Sequence, residues 1–170
     1  MRILIVIGIL IALGVAYLVL SRNVLVADRS GGPPRVIAPQ PVSILQVPTI
    51  IEQLRVQARD ASWVAFAFDP KGEADSDETT VNLQYSVENG TVGLDWVLLG
   101  PRNRADKDKI AAFIQQLGHK AVEQESNGVK YVRVEDGNIP ELGVKIMEEI
   151  YHLGPSDDMA LLTDHFVWKK

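Results

Sequence analysis

Ile3 to Leu20 is a run of eighteen residues whose one polar side-chain group is the Tyr17 hydroxyl. As a helix rising about 1.5 Å per residue it would be roughly 27 Å long, close to the ~30 Å of a bilayer's hydrocarbon core. A helix satisfies its own backbone hydrogen bonds, which lipid requires, and Tyr17 falls near one end, where an amphipathic ring suits the interface. The run therefore reads as a single-pass membrane anchor. The competing reading is a cleaved signal peptide, for which Val19-Leu20-Ser21 is a tolerable site. Its apolar stretch would ordinarily be shorter. Arg2 precedes the segment and Arg22, Arg29 and Arg35 follow it, so flanking charge sets the orientation weakly. The two-residue tail favours a cytoplasmic N-terminus and an extracytoplasmic domain.

The whole chain has 170 residues, which suits one ordinary domain beyond the anchor, and it has no cysteine. Disulfides, thiolate metal sites and a Cys nucleophile are thereby excluded. There are 17 basic and 22 acidic residues. Four of the basic but only one of the acidic residues precede Pro41, leaving 13 against 21 and a net charge of −8 beyond it. Such a surface disfavours nucleic acid and anionic headgroups.

Residues 21–41 read as a spacer. The stretch from Ser30 to Pro41 holds two Gly and four Pro in twelve residues. Proline fixes φ and lacks a donor, so the segment should not propagate a helix or a central strand. Val36-Ile37 is a short apolar island that could pair with the domain.

Residues 42–170 are expected to form the globular domain. Thr49 and Glu52 have capping-box spacing, with Ile50, Ile51, Leu54 and Ala58 on one helical face and an end near Asp60. Trp63 to Phe68 reads as a buried strand and Asp69 to Glu78 as an acidic loop. Val81, Leu83, Tyr85 and Val87 alternate with polar partners, and Val92, Leu94, Trp96 and Leu98 alternate on a return strand. Asn89-Gly90 between them signals a tight hairpin. Asn103 should cap a helix carrying Ile110, Phe113, Ile114 and Leu117, stopped by Gly118. Ala121 to Glu125, a turn at Asn127-Gly128, and Val129 to Val134 form a second strand pair. Asn138 with Glu141 should then cap a helix carrying Ile139, Leu142, Ile146, Ile150 and Leu153, ended by Gly154. The shared order hints at two ββα units. Leu161 to Trp168 could be an edge strand.

The resulting order is α-β-β-β-α-β-β-α, with a possible last β. It predicts an α+β domain of two layers, an antiparallel sheet with helices on one face. From Trp96 onward the order β-α-β-β-α-β resembles the ferredoxin-like topology. Read from Thr49, it resembles the type III secretion chaperones. Both resemblances concern element order and imply no activity.

No motif in the sequence brings reactive groups together. His119, His152 and His165 have no i, i+4 partner to make a helical zinc pair. His119 and His152 are expected at helix C-termini, where a cation meets the last carbonyls. The acidic loop Glu73 to Glu78 lacks the EF-hand spacing and reads as solvated. Gly90-Thr91-Val92-Gly93 sits in a hairpin, which does not cradle phosphate. Asn89-Gly90-Thr91 is formally a glycosylation sequon, although a tight turn explains it. No cofactor or metal site is therefore expected. Arg102, Arg104, Lys107 and Lys109 form a small basic cluster interleaved with Asp106 and Asp108, either a solvated helix start or an anion site. Trp168 is either an exposed anchor for a partner or a cover over a gap in the sheet.

The leading expectation is thus a membrane-anchored, non-catalytic binding or accessory domain with a protein partner, and Trp168, Arg102 and Arg104 as candidate contacts. One alternative is a tethered enzyme using scattered carboxylates, such as Asp95 or Asp164 with His165. Another is a structural subunit of a membrane complex, whose anchor packs through the small residues Gly8, Ala12 and Ala16. Oligomeric state is not legible.

Overall fold

The computed structural model describes residues 24–26, 35–37, 39–57, 59–70, 73, 78–126 and 128–169. The apolar run Ile3–Leu20 with its small-residue stripe, Ala58, Asp75, Asp77 and Asn127 lie outside them. Among the described residues no helix is long and apolar enough to cross a membrane.

The chain is an α+β fold built on a seven-stranded antiparallel sheet. Val24–Val26 (β1) and Arg35–Ile37 (β2) pair with each other in a separate two-stranded ladder. The apolar pair Val36-Ile37 therefore meets Leu25 and Val24, not a strand of the main sheet. That sheet has the order β3-β9-β4-β5-β6-β8-β7. Its strands are Gln40–Ser43 (β3), Trp63–Phe68 (β4), Val81–Glu88 (β5), Thr91–Val97 (β6), Val122–Ser126 (β7), Val129–Val134 (β8) and Asp158–Asp164 (β9). The helices are Val47–Gln57 (α1), Pro101–Ala105 (α2), Lys107–Gln116 (α3) and Ile139–Lys145 (α4).

The period-two patterns place one phase of each strand against the helices. Val64, Phe66, Leu83, Tyr85, Leu94, Trp96, Val132 and Val134 on the sheet join Ile50, Ile51, Leu54, Ile110, Ile114, Leu142 and Ile146 in one core. At about 1.5–3 kcal/mol for each large apolar side chain fully buried, this layer dominates the favourable side of folding. The opposite sheet face carries smaller apolar clusters. One is Ala65, Ala67 and Leu162, and another is Val97, Val129 and Tyr131. The Asn89-Gly90 hairpin has φ of 51° and 75°, the left-handed pair that a two-residue turn needs. Gly118 ends α3 at φ 84°.

Several expectations are corrected. The first helix starts at Val47, before Thr49, because Pro48 is tolerated in a first turn. A one-turn 3-10 helix, Ile44–Gln46, leads into it, with Gln46 Oε1 accepting from the Ser43 N–H at 3.0 Å. Asn103 is not a cap. Gly100 and Pro101 begin a short helix α2 before it, and Asn103 is buried inside that helix. Its amide accepts from the Asn82 N–H (3.0 Å) and donates to Asn82 O (2.7 Å) and Val97 O (2.9 Å), tying the ends of β5 and β6.

The last helix does not reach Gly154. After Lys145 it widens into a π turn, Ile146–Ile150, and His152 takes the left-handed position at φ 59°. Asn138 does cap α4, accepting from the Glu141 N–H at 3.4 Å. The final strand is not an edge. β9 lies between β3 and β4, because Gln40–Ser43, at the end of the proline-rich stretch, supplies the edge beyond it. Pro41 lacks an N–H, which an edge strand tolerates.

Candidate functional site

The sheet face turned away from the helices carries a buried charged cluster. The strand registers set Ser86 opposite Gly93 and Asp95 opposite Arg133, all in the phase that points away from the main core. Arg133 and Asp95 are each 1% exposed. Arg133 Nη1 donates to Asp95 Oδ1 (2.7 Å) and Ser86 Oγ (2.9 Å). Its Nε donates to Glu135 Oε1 at 2.6 Å, and its Nη2 to the Thr91 carbonyl at 3.2 Å. Ser86 Oγ donates to Asp95 Oδ2 at 2.5 Å. Glu88 Oε1 stands 3.5 Å from Arg133 Nη1. One guanidinium thus stitches β5, β6 and β8 with most of its donors engaged, as a buried cation requires.

The electrostatics follow from burial. Loss of water pushes the Asp95 carboxyl up to about 7, against the opposing pull of Arg133 and the Ser86 hydrogen bond. Burial also works against the charge on Arg133, but the neighbouring carboxylates outweigh it and hold its pKa above the ordinary value. The Tyr131 hydroxyl lies 3.0 Å from Gln124 Oε1 and 3.2 Å from Glu88 Oε1, and donates to one at a time. Burial and Glu88 push it up to about 12. When the Tyr131 hydroxyl turns to Gln124 it bonds to β7, the last strand of the sheet.

β7 is the most solvent-facing strand of that sheet. Val122, Glu123, Glu125 and Ser126 are exposed and Gln124 is half-buried. Among the described residues no strand lies beyond it. Lys107, at the start of α3, reaches Glu123 at 2.5 Å. That bond lowers the pKa of Glu123 and raises that of Lys107.

The residues singled out from the sequence lie in several places. Trp168 is 8% exposed and belongs to the main core, with its indole N–H buried and lacking a partner among the described residues. Arg102 donates to Asp106 at 2.5 Å and to Glu73 at 2.7 Å, and lies 5.7 Å from the Tyr151 ring centroid. The Tyr151 hydroxyl donates to the same Asp106 oxygen, and its ring stacks on Trp96. Arg104 donates to the Leu99 carbonyl. Lys109 also stands over the Tyr151 ring, at 5.7 Å, so Arg102 and Lys109 share that ring while Lys107 and Arg104 have partners elsewhere.

Asp95 and Asp164 share the far face, but β4 and β5 lie between their strands. At about 4.8 Å per strand this separates them by at least roughly 14 Å. Asp164 lies 3.8 Å from His165, which is exposed. His119 Nδ1 lies 3.0 Å from the Asp136 carbonyl. Among the described residues no group of three His, Asp or Glu is placed to hold a metal ion.

Sequence reasoning missed the Asp95–Arg133 pair as a unit. The available signal was opposite charges in the outward phase of two strands, but nothing in the sequence sets the register between β6 and β8. No family model matches the chain, and comparison with curated proteins and with solved structures also yields no match.

Proposed function

We propose that the chain is a single-pass membrane protein whose α+β domain is a non-catalytic binding or accessory module for another protein. The apolar run Ile3–Leu20, long enough to cross a bilayer as a helix, supports the anchor. The observation that carries the binding reading is strand β7, an exposed edge on a sheet otherwise backed by a continuous core. Such an edge offers main-chain groups to an added strand. The element order from α1 to α4 resembles that of type III secretion chaperones, a likeness of order alone.

The test uses the full-length chain extracted from membranes in mild detergent after crosslinking in intact cells. The proposal expects one specific protein recovered in comparable amount. Recovery of the chain alone, or its presence in the soluble fraction, contradicts it.

A further inference from the structure

We infer that the β7 edge takes an extended strand from a partner protein, cationic on one face and apolar on the other. This inference rests on the binding reading above and names its surface and its partner chemistry.

The two edges of the sheet differ. At β3 the edge is four residues long and includes Pro41, which has no N–H to donate, and Val42 is 1% exposed. At β7 there is no proline, and four of five residues are exposed. In an antiparallel ladder, alternate residues of an edge strand direct both backbone groups away from the neighbouring strand. The stretch Val122 to Glu125 therefore offers such groups along its side opposite β8.

The side chains define what fits. Glu123 and Glu125 share the helix-side phase of β7, while Val122 and Gln124 occupy the other. The Glu123 side chain is 66% exposed even with Lys107 bound to it, and Val122 is 40% exposed. An added strand places alternate side chains beside the glutamates and the remainder beside Val122. Lys or Arg at the first positions and β-branched residues at the second satisfy both. A second copy of this chain fits badly. Antiparallel pairing centred on Gln124 sets Glu123 opposite Glu125 of the other copy, and like charges directly opposite are destabilising. Behind the edge, the Tyr131 hydroxyl lies within bonding reach of Gln124 on β7 and of Glu88 on β5 and donates to one of them at a time.

The experiment measures backbone hydrogen exchange of the full-length chain in detergent micelles. Two probes are used, a hexapeptide alternating Lys and Val and its Glu/Val counterpart. The Lys/Val peptide should slow exchange at Val122 to Glu125 by about tenfold or more, and the Glu/Val peptide should not. The double variant Glu123→Lys/Glu125→Lys should exchange that preference, with unchanged protection in β5 and β6 showing that the fold is kept. If this variant fails to fold, Glu125→Lys alone should weaken protection by the Lys/Val peptide. Protection by neither peptide, or equally by both, overturns the inference. A protein partner that binds the full chain while the β7 amides exchange freely also overturns it, yet leaves the binding reading standing.

Discussion

Arg133 occupies the space that a side chain at Gly93 would need. A Cβ on Gly93 would lie 2.4 Å from the guanidinium carbon and 2.7 Å from Nε and Nη2. The glycine thus serves close approach, letting a long cationic side chain lie flat across β6 and reach acceptors on two neighbouring strands. The guanidinium is pinned by bonds to Asp95, Ser86, Glu135 and Thr91, so it cannot swing aside cheaply.

Gly93→Ala should therefore destabilise the domain by about 3 kcal/mol or more, the scale of breaking a buried charge pair. In an Arg133→Leu background the same change should cost less than about 1 kcal/mol, since the obstructing group is gone. Urea unfolding of the four members of this cycle, read by tryptophan fluorescence, checks the coupling. Equal costs in both backgrounds would contradict the account.

Asp95 makes stability depend on pH in the direction opposite to a solvent-paired carboxylate. Its folded-state pKa is raised from 3.8 to about 7. The folded state then binds a proton more tightly than the unfolded state does. Its contribution is most favourable below pH ~4 and declines as pH rises toward about 7. Asp95→Asn should remove this decline. Urea midpoints at about pH 5 and about pH 8 should differ less in the variant than in the parent chain, after correction for other groups. An unchanged difference would show that Asp95 is not the group responsible.

The two buried indoles should respond unequally to the same substitution. Trp96 Nε1 donates to the Asn103 carbonyl at 2.9 Å, whereas the Trp168 N–H has no partner among the described residues. Both changes to Phe lose similar apolar volume. Trp96→Phe also orphans a buried carbonyl, while Trp168→Phe removes an unsatisfied donor. The first should be more destabilising by about 1–3 kcal/mol, measured by denaturant unfolding.

Gly143 lies where α4 meets the sheet, and a Cβ there would lie 2.9 Å from the Tyr85 Cζ and overlap its hydroxyl oxygen more severely. Tyr85 donates to the Ile139 carbonyl at 3.2 Å, and burial pushes its phenol well above the ordinary range. Gly143→Ala should cost about 1–3 kcal/mol as overpacking, even though alanine is the better helix former. Thermal unfolding of the variant checks this. A gain in stability would mean that α4 can shift outward.

Much of the fold was legible where periodicity is strong. Trp63–Phe68 and Val129–Val134 have the bounds their apolar patterns imply, and the Asn89-Gly90 hairpin lies where its turn chemistry puts it. Three features were hidden for identifiable reasons. Gln40–Ser43 is a strand because β9 needs a neighbour, a tertiary demand that overrides the local signature of Pro41. Asn103 looked like a cap because its type favours that role, but its amide instead serves two strand ends. Asp95 and Arg133 occupy outward phases, where charges normally meet water. Only the β6–β8 register turns them into a buried pair. The anchor expectation rests on the uninterrupted apolar run Ile3–Leu20, and the exposed edge depends on β7 standing last in the sheet.

The most direct test is to place a photo-crosslinking residue at Val122 of the full-length chain in intact cells and analyse the alkali-washed membrane fraction. The account predicts a membrane-retained chain that still contains residues 3–20 and carries one discrete adduct with a different protein. A soluble chain beginning beyond Leu20, or a membrane-bound chain with no adduct at Val122, would contradict it.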